Sequence, residues 1–125
     1  MEEKEELGII DDQIGSPTWA KTLAEACLYA VQKQLSGIYH WTDEGVASWY
    51  DFAQAIQKLG FEQGLISKKI NIKAIPSSAY PTPAKRPHYS VLDKTKTREA
   101  FVGVKNKHWT EQLSNLLISM KNTTV

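Results

Sequence analysis

Leu7-Gly8-Ile9-Ile10-Asp11-Asp12-Gln13-Ile14-Gly15-Ser16-Pro17-Thr18 is the stretch on which the reading of the fold turns. Leu7 to Ile10 is a short apolar run ending on two carboxylates, the pattern of a buried strand whose end emerges into a loop. A helix is expected from Thr18 to about Gln34. Either Ser16, with Pro17 in the first turn, or Thr18 supplies the oxygen that accepts the free N–H groups at its start. Leu23, Ala26, Cys27, Ala30 and Val31 recur at three- and four-residue spacing and mark the inward face, which places Cys27 in the core; Gly37 is the stop signal. Ile38-Tyr39-His40-Trp41 reads as a second strand. Residues 7–41 then form strand, helix, strand, the unit that pairs its two strands in parallel.

Working outward, Ser48-Trp49-Tyr50-Asp51 has the form of a capping box, followed by the apolar stripe Phe52, Ala53, Ile56 and Leu59 and ended by Gly60. Ile70 to Ile75 alternates apolar and polar residues, as a half-exposed third strand does. Between Pro76 and Pro87 there are four prolines in twelve residues, which bars a helix and pins the backbone extended. Asp93 caps a short helix over Lys94 to Phe101, and Trp109, Leu113, Leu116, Leu117 and Met120 mark a last amphipathic helix. The expected fold is α/β, with about three short strands and four helices.

The 125 residues, 42% hydrophobic and 23% charged, suit one domain spanning 1–125. The single cysteine makes no internal bridge, no window approaches a membrane span, and the acidic start Glu2-Glu3-Lys4-Glu5-Glu6 is unlike a basic leader. A reducing, cytoplasmic setting follows as the expectation. The net charge of +1 excludes a strongly basic nucleic-acid binder, but it conceals an asymmetry. Residues 1–66 carry 11 acidic and 4 basic side chains; residues 67–125 carry 3 acidic and 11 basic. An anion is therefore expected on the later half, unless those lysines are simply solvated.

Few residues offer chemistry. The seven glycines never take the spacing of a dinucleotide fingerprint, and there is no P-loop. Tyr29 and Lys33 have the spacing of a short-chain dehydrogenase pair, but an i, i+4 pair on an amphipathic helix explains them. His40, His88 and His108 lie in separate segments, against a zinc site. Asp11 and Asp12 stand at a strand end, where a divalent cation is held or where carboxylates are merely solvated. Arg86, in a proline-braced loop, has two readings: a guanidinium gripping a phosphate through paired hydrogen bonds, or a surface salt bridge. Trp41 and Trp49 flank the loop 42–48, as stacking platforms for a base or sugar or as core edges.

Four segments taken together carry a resemblance: Asp12-Gln13-Ile14-Gly15-Ser16-Pro17-Thr18, Gly37-Ile38-Tyr39-His40, Ser77-Ser78-Ala79-Tyr80-Pro81-Thr82-Pro83-Ala84-Lys85-Arg86-Pro87 and Ser90-Val91-Leu92-Asp93. In order and spacing they resemble the dTDP-4-dehydrorhamnose reductases, which are extended short-chain dehydrogenases. The resemblance implies an enzyme reducing the C4 ketone of dTDP-4-dehydro-L-rhamnose with NADPH (or NADH) in dTDP-L-rhamnose biosynthesis. It covers only that enzyme's C-terminal substrate-binding part. The N-terminal Rossmann domain, with the cofactor site and the catalytic Tyr-Lys pair, lies outside this chain, so the chain alone is expected to be inactive and to bind no cofactor.

The resemblance further implies that Arg86, Tyr80, Lys85 and Gln13 bind the dTDP-sugar and that Asp12 contributes to a Mg2+ site at a homodimer contact. The expected partners are the substrate, the Rossmann domain and a second copy, with neither nucleic acid nor membrane. The alternative is a non-catalytic sugar-nucleotide-binding or protein-interaction module on the same scaffold.

Overall fold

The computed structural model describes residues 5–123; the acidic residues Glu2 and Glu3 and Lys4 lie outside it. In chain order the elements are β1 (Glu6–Ile10), β2 (Ile14–Gly15), α1 (Ala20–Gln32), β3 (Ala47–Ser48), α2 (Trp49–Glu62), β4 (Asn71–Ile75), a 3-10 turn (Ser77–Ala79), α3 (Thr95–Ala100) and α4 (Trp109–Thr123). The class is α/β with four α-helices, as the sequence implies. The parallel pair, however, joins different strands. β1 pairs with β4, Glu6 opposite Asn71 through Ile10 opposite Ile75.

Ile38 to Trp41 is not a strand. Two of its carbonyls accept from side chains of the α3 region, Ile38 O from Lys96 Nζ at 3.4 Å and His40 O from Thr97 Oγ1 at 2.6 Å, and Thr42 O just beyond accepts from Lys94 Nζ at 3.1 Å. Tyr39 and Trp41 pack on the ring of Phe101, with centroids 5.3 and 5.6 Å away. A run with high strand propensity thus has alternate carbonyls bonded to side chains in place of a partner strand.

α2 is the central element. It starts with the capping box expected of it: Asp51 N donates to Ser48 Oγ and Ser48 N to Asp51 Oδ2, both at 3.0 Å. One side of α2 meets Trp109, Leu113 and Leu117 of α4 through Phe52, Ile56 and Leu59. The other presents Ala53 to Ile70 and Ile72, with Leu7 and Ile9 of β1 alongside. Gly60 does not end this helix but lies buried within it, because a Cβ there would come within 2.8 Å of Ile66 Cδ1. The glycine admits the returning chain.

α1 differs from its expectation in two respects. Neither Ser16 nor Thr18 caps it; the N-cap residue is Trp19, with no side-chain cap of its own. Asp43 supplies the cap from a distant loop, accepting from Trp19 N at 2.9 Å and from Thr22 Oγ1 at 3.0 Å. The expected inward face is also misplaced, since only Thr22 and Ala26 are buried while Leu23, Cys27 and Val31 are exposed. Cys27 is thus a surface thiol.

Candidate functional site

The site is built by two anchor points on the segment that leaves β1. Asp12 holds the start of the proline-rich arm: both its carboxylate oxygens accept from Ser77 N at 3.0 Å, and Ser77 Oγ donates to Oδ1. Ile14 holds the end of the arm, its N–H donating to His88 O and its carbonyl accepting from Ser90 N, both at 2.8 Å. His88 Nδ1 adds a hydrogen bond to Asp12 O at 2.7 Å. The prolines restrict the path between, where the backbone is irregular apart from the Ser77–Ala79 turn.

This arrangement brings Arg86 over a cleft of about 510 Å³ lined by Gln13, Pro17, Ser48, Trp49, Arg86 and Ser90. Ser16 fixes one wall by donating to Gly45 O at 2.7 Å. β2 and β3, too short to be read from sequence, pair antiparallel with Ile14 opposite Ser48 and fix the floor. The same pairing sets the start of α2, and hence Trp49, against the cleft. Trp49 leaves 57% of its surface exposed and donates through Nε1 to Gln13 Oε1 at 3.3 Å. Gln13 Nε2 in turn donates to Ser77 Oγ at 3.2 Å, so its amide braces the foot of the arm to the start of α2.

Of the residues expected at the site, Gln13 and Arg86 meet in this cleft, whereas Tyr80 and Lys85 are exposed on the arm and do not line it. Among the described residues no hydrogen bond or ion pair joins Arg86 to another side chain, so the salt-bridge reading of that residue finds no partner. Trp49 lines the cleft, while Trp41 packs inside against Phe101. The sequence signal for Trp49 was its place, with Trp41, at the edge of the loop 42–48. The role of Ser90 carried no local signal, because it depends on the pairing with Ile14.

Asp12 is occupied. The Ser77 hydroxyl, and after it the Ser77 N–H, hold its carboxyl below the usual carboxylate range. Among the described residues no group of three His, Cys, Asp or Glu side chains is placed to hold a metal ion. Both oxygens of Asp12 that a cation would take are engaged by Ser77. Between β1 and α1 the one glycine, Gly15, is engaged in β2, and Trp19 N at the start of α1 donates to Asp43 Oδ2. Tyr29 and Lys33 have a structural explanation: Tyr29 OH accepts from Gly103 N at 3.3 Å, and Lys33 Nζ lies 5.9 Å from the Tyr29 ring centroid.

A larger groove of about 830 Å³ runs between α1 and α4 but contains none of the expected site residues. Among the described residues no helix is long and apolar enough to cross a membrane.

Comparison with known proteins identifies the family. Residues 1–122 match the family model of the RmlD substrate binding domain. The dTDP-4-dehydrorhamnose reductase of Escherichia coli K12 is 35% identical over 127 residues, covering 98% of this chain and 42% of the relative. A crystal structure of the reductase from Clostridium acetobutylicum superposes with a TM-score of 0.83 at 32% identity, over 95% of this chain and 40% of that one. A structure of the Bacillus anthracis reductase in complex with NADP gives 0.80 at 30% identity, over 94% and 39%. The chain thus spans about two fifths of the length of these relatives. With the family model matched over residues 1–122, nearly its whole length, the chain belongs to the RmlD substrate-binding-domain family.

Proposed function

We propose that this chain is the substrate-binding part of a dTDP-4-dehydrorhamnose reductase, and that Arg86 grips the diphosphate of the nucleotide sugar. The observation that carries the reading is the unpaired Arg86 guanidinium, set on a doubly anchored arm over the cleft. A planar guanidinium offers two parallel donors to a phosphate, and an arm already ordered loses less entropy on binding. Trp49 presents a broad aromatic face to the same cleft, suited to a ring of the ligand, with Gln13 fixing its orientation. Lys85 adds positive charge next to Arg86 in the chain, off the cleft, and Tyr80 is exposed on the same arm. Asp12 is in this reading a clamp on the arm.

The parent enzyme takes its hydride from NADPH, held by the part of the reductase that this chain does not match. The chain alone binds substrate and does not turn it over. Calorimetry with dTDP tests the reading: binding is expected, with affinity falling on the order of tenfold or more in Arg86→Ala. Equal affinity for both proteins, or reduction of the dTDP-keto sugar by the chain with NADPH, would overturn it.

A further inference from the structure

The hydrogen bonds that run from Asp12 through Ser77 and Gln13 to Trp49 form one chain with a fixed polarity at each end. An ionised carboxylate only accepts, and an indole N–H only donates. Asp12 is ionised at neutral pH, since its bonds to Ser77 hold it below the usual carboxylate range. The one hydroxyl hydrogen of Ser77 is therefore committed to Asp12 Oδ1, which leaves Oγ an acceptor toward Gln13. Gln13 turns Nε2 to that oxygen at 3.2 Å, and its Oε1 then faces Trp49 Nε1 at 3.3 Å. A flipped amide would set its carbonyl against a hydroxyl with no hydrogen left, and its NH2 group against the indole N–H. Both bonds would be lost, so the chain admits a single orientation of the amide.

We propose that Ser77 is a positioning residue of the ligand cleft: its hydroxyl, acting through the Gln13 amide, sets the Trp49 ring that meets the ligand. The proposal deepens the substrate-binding reading and rests on it. Ser77 opens the 3-10 turn after β4 and does not itself line the cleft, whereas Gln13 and Trp49 do. Its backbone N–H already anchors the arm, donating to both oxygens of Asp12 at 3.0 Å without help from the side chain. The hydroxyl therefore has a second task, and the only bond it adds beyond Asp12 leads to Gln13. Trp49 is more than half exposed, so packing alone leaves its ring freedom that the Gln13 bond removes. A ring already held loses less freedom when a ligand arrives.

Ser77→Ala separates the two tasks, because it deletes the hydroxyl and keeps the backbone N–H. In the ligand-free chain it is expected to move the indole N–H resonance of Trp49, identified by its loss in Trp49→Phe. The indole resonance of Trp109, which donates to Val46 O at 3.1 Å, should stay in place. Affinity for dTDP, read by calorimetry, is expected to fall about three- to tenfold, the scale of one lost hydrogen bond. Gln13→Leu should reproduce both effects, and Ser77→Thr, which keeps a hydroxyl, should show neither. Added to Trp49→Phe, Ser77→Ala should weaken binding by almost nothing more, since its route to the ligand is already gone. A Trp49 resonance unmoved by Ser77→Ala, or an affinity loss of full size on top of Trp49→Phe, would overturn the proposal and leave Ser77 an anchor of the arm alone. A wild-type chain that binds no dTDP while the Trp49 resonance still responds to Ser77→Ala would overturn the substrate-binding reading itself, and the ligand role of Ser77 with it.

Discussion

Asp12 shows how a residue's chemistry is decided by what it meets. Beside Asp11 at the end of a strand it has the form of a cation ligand, yet both its oxygens are spent on Ser77, 65 positions away. Nothing local announces that contact, because it depends on β4 delivering Ser77 next to β1. The place of Arg86 on a proline-braced arm was legible, since the prolines and the guanidinium are both written in the sequence; that no carboxylate among the described residues meets it needed the fold. The clamp has a pH signature. Bonding to Ser77 lowers the folded-state pKa of Asp12, so its contribution is complete above the unfolded value, about 3.9, and is lost as pH falls through the lower folded value. The Ser77 amide proton resonance should therefore hold steady from pH 7 to about 4 and move only in more acidic solution. In Asp12→Asn that acid step should vanish; a step of unchanged size and position would exclude Asp12 as its source.

At the scale of elements, some local signals were read correctly, whereas the face and cap of α1, the Gly60 stop and the pairings were not. The α2 capping box, the β4 alternation and the stripe of α4 each depend on neighbours in sequence, and each stands where expected. Asp93 also keeps a role at the start of α3, accepting from Thr95 N at 2.9 Å, although Lys94 is the N-cap residue. What failed was the partner of each polar group: side chains of the α3 region take the carbonyls of residues 38–42, and Asp43 caps α1 from 24 positions away. The two-residue strands β2 and β3 were illegible for the same reason, being defined only by each other. Their junction with α2 is a sensitive point. Ser48 is 2% exposed, accepts from Asp51 N and donates to Asp11 Oδ1 at 3.3 Å. Ser48→Ala should cost about 1–2 kcal/mol, as loss of a helix cap does, read as a lower urea midpoint with an unchanged slope. A midpoint within error of the wild type would show that the cap contributes nothing measurable.

For the whole molecule, the segregation of charge along the chain is largely undone by folding. β1 comes from the acidic half and β4 from the basic half, and Lys73 meets Glu6 at 2.9 Å across the pair. Glu44 likewise takes Lys94 at 3.1 Å and Arg98 at 2.8 Å, contacts that hold its carboxyl below the ordinary range, with the Arg98 hydrogen bond as the largest cause. The surplus of cations in residues 67–125 is thus spent on ion pairing at several positions, and it reaches solvent on the arm carrying Lys85 and Arg86 as well as at Lys105 beside the α1–α4 groove. The two cations should then be separable by salt. Lys85 is exposed and off the cleft, so its pull on a phosphate passes through water and is screened over about 8 Å at physiological ionic strength. Arg86 acts by direct hydrogen bonding, which screening weakens far less. Lys85→Ala is expected to weaken dTDP binding about two- to threefold in dilute buffer, and not at all near 0.5 M salt, where the screening length falls to about 4 Å. The Arg86→Ala loss should persist at both ionic strengths. Calorimetry in the two buffers reads both, and an Arg86→Ala effect that disappeared with added salt would reduce that guanidinium to one more surface charge.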